Sequence, residues 1–124
     1  SEVGYLELGN RQVGAFLIPG ELFPELFTGE FLSADESATG KEADYTPLNK
    51  VSKSNHVFVI GLCNDELGYI LPPNDFILNE KSPYIENGRD KHDRRHYEET
   101  NSMGPNTAKA IADTVKQIVD AINC

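Results

Sequence analysis

The sequence predicts a single α/β domain: a mixed sheet that begins with an N-terminal hairpin, flanking helices, and an amphipathic C-terminal helix. Three observations carry this expectation. Residues 13–18 (Val-Gly-Ala-Phe-Leu-Ile) and residues 57–62 (Val-Phe-Val-Ile-Gly-Leu) are short apolar runs of strand length. The first is closed by Pro19-Gly20, a turn signal that ends a strand. The last part of the chain instead repeats apolar residues at three- and four-residue steps. At 124 residues the chain makes one domain and is long enough for a real core.

Taken in order, Tyr5-Leu6-Glu7-Leu8 leads through Gly9-Asn10 into the first run, which predicts a hairpin over residues 3–18 with a tight turn. Neither apolar run alternates with polar residues, so both read as strands covered on two faces. A short helix is expected from about Glu21, using Leu22, Phe23, Leu26 and Phe27, with Phe27 to Phe31 apolar enough for the core. Residues 28–50, rich in Ser, Thr, Asp, Glu and Gly, read as a long loop that is mobile or carries a turn of its own. The strand at 57–62 is expected parallel to that at 13–18, connected across the intervening helix. Residues 80–95, with Pro83, Asn87-Gly88 and dense mixed charge, read as a second surface loop. In the final helix Ala108, Ile111, Ala112, Val115, Ile118, Val119 and Ile122 form one face, and Lys109, Asp113, Lys116 and Asp120 the other. Asn106 or Thr107, after Gly104-Pro105, is its expected N-cap, and the two-sided pattern packs it on a sheet.

Composition narrows the partners. Twenty acids against 11 bases leave a net charge of −9, which opposes binding to nucleic acid and adsorption to anionic membranes. There is no apolar run long enough to span a bilayer and no signal-peptide pattern, so a soluble chain is expected. Two cysteines make no disulfide framework: Cys63 reads as a small buried hydrophobe at a strand end, Cys124 as a free terminal thiol. The sequence has no internal repeat, phosphate-cradling glycine loop or nucleophile elbow.

Open α/β sheets build their sites just beyond strand ends. Glu21 follows the first run, and Tyr69 follows the second within Gly61-Leu62-Cys63-Asn64-Asp65-Glu66-Leu67-Gly68-Tyr69, which makes them the leading candidates. On residue type alone Glu21 is a helix-start acid, favoured by unpaired N–H groups and the helix dipole. His92 and His96, four apart, would share a helical face in the spacing some zinc sites use. Their surroundings, Arg89 to Arg95, favour an exposed loop or a solvated helix.

Pro19-Gly20-Glu21, the Gly-Leu-Cys-Asn…Tyr segment at 61–69, Tyr97-Glu98 with Ser102, and Gly104-Pro105-Asn106-Thr107 before a helix occur in an order that resembles the late part of the catalytic domain of neutral/alkaline non-lysosomal ceramidases. The likeness covers about residues 3–120, with loop insertions at about 28–50 and 80–95 that lengthen the stretches flanking Tyr69. Such enzymes are zinc-dependent amidases that cleave the N-acyl bond of ceramide. The resemblance implies Glu21 and Tyr69 as metal ligands, Tyr97 as a hydrogen-bond donor near the scissile amide, a lipid amide substrate, and a secreted or membrane-peripheral setting. It also implies two histidine ligands from earlier segments, which this chain lacks: His56, His92 and His96 lie in no such motif. Two classes follow as expectations. One is a ceramidase-like zinc amidohydrolase, incomplete in this chain and completed by a partner chain or homo-oligomer. The other is a non-catalytic α/β module for binding or assembly that has lost the metal site.

Overall fold

The computed structural model describes residues 1–78 and 88–123. Its elements are β1 (Gly4–Leu8), β2 (Val13–Leu17), β3 (Glu21–Leu22), α1 (Pro24–Thr28), β4 (His56–Ile60), β5 (Tyr69–Ile70) and α2 (Thr107–Ile122), with single 3-10 turns at Leu48–Lys50, Pro73–Asp75 and Tyr97–Asn101. The mixed α/β class with an N-terminal hairpin and a C-terminal helix is what the sequence predicts.

β1 and β2 pair antiparallel, with Leu6 opposite Ala15, and β4 adds to the other side of β2 in parallel, with Ala15 opposite Phe58. The three-stranded order is therefore β1-β2-β4, and the expected parallel crossover is present. The hairpin connection runs through Gly9, Asn10 and Arg11, all at positive φ. Tyr5, Phe16, Val57 and Val59 point to one face of this sheet, where Phe16 is completely buried. α2 lies against that face with Ala108, Ile111, Ala112, Val115 and Val119, and Ile18, Leu26, Leu48 and Ile70 fill the rest of the core. Asn106 holds the N-cap position of α2 but makes no side-chain cap hydrogen bond.

Four expectations need correction. β4 is not covered on two faces: its residues alternate between solvent and core, with Phe58 55% and Ile60 48% exposed, because only one layer packs on the sheet. Glu21 does not start a helix, because Pro24 cannot donate to a helical ladder and takes the first helical position; α1 begins there, and Glu21 enters a strand pair. Phe27 and Phe31 are half-buried and rest against the edge of the core. Cys63 is half-buried and free, while Cys124 lies outside the described residues.

The 28–50 segment has no long regular element, but it is tied down. Ser37 is fully buried, the Ala38 N–H donates to Asp75 Oδ1 at 2.7 Å, and the Thr39 N–H donates to the Asn74 carbonyl at 3.2 Å. Of the expected loop at 80–95, residues 80–87 lie outside the described residues; Gly88 onward is irregular chain with one bridge between Arg89 and Arg95.

Candidate functional site

β2 and β4 run in parallel, so both deliver their following segments to the same end of the sheet. There the chain crosses over itself closely. The Leu62 N–H donates to the Gly20 carbonyl at 3.1 Å and the Leu67 N–H to the Pro19 carbonyl at 2.9 Å. β3 and β5 then pair in parallel, with Glu21 directly opposite Tyr69 and the Glu21 N–H donating to the Gly68 carbonyl at 2.9 Å. Directly opposite residues of a strand pair project to the same side. Glu21 and Tyr69 accordingly line one open cleft of about 490 Å3, with Glu66, Thr100, Asn101 and Ser102.

Glycine makes the crossing feasible. A Cβ on Gly20 would come within 2.7 Å of the Gly68 carbonyl oxygen. Gly68 has φ +81°, and a Cβ there would overlap the Asn101 carbonyl. That contact lets the 97–102 segment lie against β5, where Ser102 bridges to Tyr69.

The same segment brings Tyr97 to the rim. Its ring stands edge-on to Tyr69, with centroids 6.0 Å apart at 88°, and Phe23 holds the Tyr69 ring from another side at 6.1 Å and 74°. The Tyr97 hydroxyl, followed by the carboxylate of Glu21, pushes the Tyr69 phenol up to about 12, so that phenol is protonated at neutral pH. Glu21, Tyr69 and Tyr97, far apart in sequence, thus stand together. A larger and more apolar groove, about 680 Å3, runs along α2 past Met103 and shares Leu67 with the cleft.

The Tyr97 segment is fixed by an ion cluster that the sequence reading missed. The Asp90 side chain is fully buried and accepts from the His92 N–H (2.8 Å), the Arg94 N–H (2.9 Å), Arg94 Nε (2.8 Å) and His96 Nε2 (3.2 Å). Burial alone would raise its pKa; the hydrogen bonds from Arg94, His96 and His92 outweigh that and hold it well below the usual carboxylate range. Arg94 also reaches Asp75 at 3.0 Å and the Glu36 carbonyl at 2.9 Å. Glu99 accepts the Ile77 and Leu78 N–H groups at 2.8 and 3.1 Å and lies 3.1 Å from His96 Nδ1. Charged residues almost never lie fully buried unless paired. The signal that could have revealed the cluster is the spacing of Asp90, Arg94, His96 and Glu99, opposite charges three to four residues apart in a segment without helical periodicity.

Asp75, Asp90 and His96 lie close enough together to share a metal ion. The Arg94 guanidinium, however, already bridges both carboxylates, so the cluster is electrostatically compensated without a cation. The reading of 89–96 as exposed or solvated is corrected for His96, which is buried; His92 is exposed, with Nε2 against the Asp35 carbonyl at 2.8 Å. His56 opens β4 at the opposite end of the sheet from Glu21. The imidazoles of His92 and His96 are thus engaged by the Asp35 carbonyl and by Asp90 and Glu99, not by Glu21 or Tyr69.

Comparison with known proteins adds no relative: no family model matches the sequence, and neither a curated protein nor a solved structure matches the chain.

Proposed function

We propose that this chain is the late part of the catalytic domain of a zinc-dependent amidohydrolase of neutral ceramidase type, acting on an N-acyl amide bond of a lipid. The observation that supports it most is the pairing of Glu21 with Tyr69 across two parallel strand ends, on one cleft, with Tyr97 beside them. A carboxylate oxygen and a phenol oxygen are donors that suit zinc and make half of a four-ligand set. Two imidazoles from another segment or chain complete the set. Zinc, when bound, supplies a water of lowered pKa and polarises the amide carbonyl.

The residues of this chain do the rest. Glu21 contributes negative charge to the metal position. Tyr69 must lose its proton to become a ligand, so metal uptake releases that proton and strengthens as pH rises. Tyr97, half-exposed at the rim, donates a hydrogen bond to the oxygen that becomes negative as the amide is attacked. The edge-on ring contact with Tyr69 fixes its direction.

A second reading, a non-catalytic binding or assembly module, is favoured by one observation: His56 opens β4 at the far end of the sheet, and the imidazoles of His92 and His96 are engaged by the Asp35 carbonyl and by Asp90 and Glu99. Zinc titration followed by tyrosinate absorbance, together with hydrolysis of an N-acyl sphingoid amide, separates the two. The chain alone should bind zinc weakly, with a tyrosinate signal that Tyr69→Phe abolishes and Glu21→Gln weakens. Joined to or mixed with a segment or chain that supplies two histidine ligands, it should release fatty acid, and both variants should lose metal and activity together. Activity that survives Glu21→Gln, or stoichiometric chelator-resistant zinc on the isolated chain, would overturn the assignment.

A further inference from the structure

We propose that the face of the sheet turned away from α2 is the contact surface of a symmetric homodimer, two copies packing sheet on sheet with their strands antiparallel. On this face Leu6 and Leu8 of β1 and Phe58 and Ile60 of β4 are 46%, 54%, 55% and 48% exposed, on either side of the small Ala15 of β2. With the half-buried Val13 and Leu17 of β2 on the same face, these side chains form one continuous apolar surface dipping at Ala15, of the kind that packs sheet on sheet at about 10 Å separation. No strand residue on this face carries an acidic or a Lys/Arg side chain; charge is depleted from the cores of protein interfaces in the same way.

The occupant is indicated by the charges at the two ends of the strands. Where β2 and β4 begin stand Arg11 and Lys53, with His56 on the face itself; residues 9–12 and 51–56 contain no acid, and Glu7 of β1 at this end turns to the covered face, where Ser54 and Tyr5 donate to it. Where they end stand Glu21, Asp65 and Glu66, and residues 17–22 and 60–70 contain no lysine or arginine. Each five-residue strand separates the ends by roughly 17 Å. A twofold axis along the strands would set acid against acid. An axis in the sheet plane but across the strands sets the basic end of each copy against the acidic end of the other, twice, and relieves the repulsion expected between two chains of net charge −9. Three five-residue strands present a small face beside a standard interface of about 800 Å2 per partner, so the dimer is a weak one and is loosened by salt.

Sedimentation equilibrium of the whole chain over roughly 5–500 µM in low salt tests this. The wild type should dimerise, and Phe58→Asp should remain monomeric with an unchanged far-ultraviolet circular dichroism spectrum. Lys53→Glu should weaken the dimer about tenfold, and adding Glu66→Lys to it should restore most of that loss. Ile122→Asp, an exposed apolar position on α2, should leave the dimer unchanged. A wild type that stays monomeric throughout, or a dimer that survives Phe58→Asp, overturns the proposal. So does failure of Glu66→Lys to rescue Lys53→Glu, since the antiparallel arrangement requires it. Adsorption of a strictly monomeric chain to vesicles of neutral phosphatidylcholine would instead assign the face to a lipid surface and would equally overturn it.

Discussion

β2 (Val-Gly-Ala-Phe-Leu) and β4 (His-Val-Phe-Val-Ile) are neighbouring five-residue strands dominated by apolar side chains, yet they have opposite fates. β2 sits between two strands, with Gly14, Ala15 and Phe16 all buried; β4 lies at the edge and shows alternate residues to solvent. Their register makes the contrast direct, since Ala15 is paired with Phe58 and Phe16 with Val59. A continuous apolar run therefore states which faces are able to be buried. Whether they are buried depends on a covering layer, and among the described residues α2 covers only one side.

The largest expected effect breaks the symmetry between two phenylalanines. Phe16→Ala should destabilise the fold by about 3–5 kcal/mol, because the ring is fully buried under α2 and leaves a cavity. Phe58→Ala, on the exposed side, should change stability by less than about 1 kcal/mol at concentrations where the chain is monomeric. Urea denaturation of both variants gives the ratio, and comparable losses would mean that the open face is covered in the folded monomer.

A second test contrasts buried charge with buried ring. Asp90→Asn keeps the shape but removes the charge that Arg94 and His96 address, and a loss of about 1–3 kcal/mol is expected. The sign of the pH dependence follows from the depressed pKa. In the unfolded chain Asp90 takes up a proton at about pH 4, whereas in the folded chain it stays ionised to well below that. Its contribution is complete above about pH 4 and fades as pH falls toward the folded value. Wild type and variant should therefore converge in stability as the solution is acidified below pH 4, measured by thermal melts. A gap that stays constant would place the role of Asp90 in packing alone.

The smallest effect on stability concerns the exposed tyrosine. Tyr97→Phe should leave the melting temperature nearly unchanged, as expected for a half-exposed rim position. The same change should lower the Tyr69 phenol from about 12 toward its ordinary value near 10, since the Tyr97 hydroxyl is the largest cause of the rise. Glu21→Gln should lower it less. Alkaline titration of the tyrosine ring carbons by NMR reads both. In a complete, zinc-loaded enzyme Tyr97→Phe should reduce turnover on the order of 10²-fold without loss of metal, and unchanged turnover would end the role given to that hydroxyl.

The sequence by itself determined the hairpin and the whole of α2, from periodicity and turn chemistry within a few residues, and the parallel return of the second apolar run, from the helix and long connection that separate it from the first. It also singled out Glu21 and Tyr69, since a polar side chain just past an apolar run is a local pattern. Their meeting was decided by tertiary structure: Gly20 and Gly68 allow three strand-end segments to approach more closely than any Cβ would permit, and no local pattern encodes which carbonyl each glycine faces. The burial of His96 and Asp90 was decided in the same way, because a charged loop reads as solvated until Arg94 and the N–H groups of Ile77 and Leu78 are placed around its acids. The exposure of Phe58 and Ile60 has the same physical reason in reverse: hydrophobicity is a property of the residue, and burial is a property of what packs upon it.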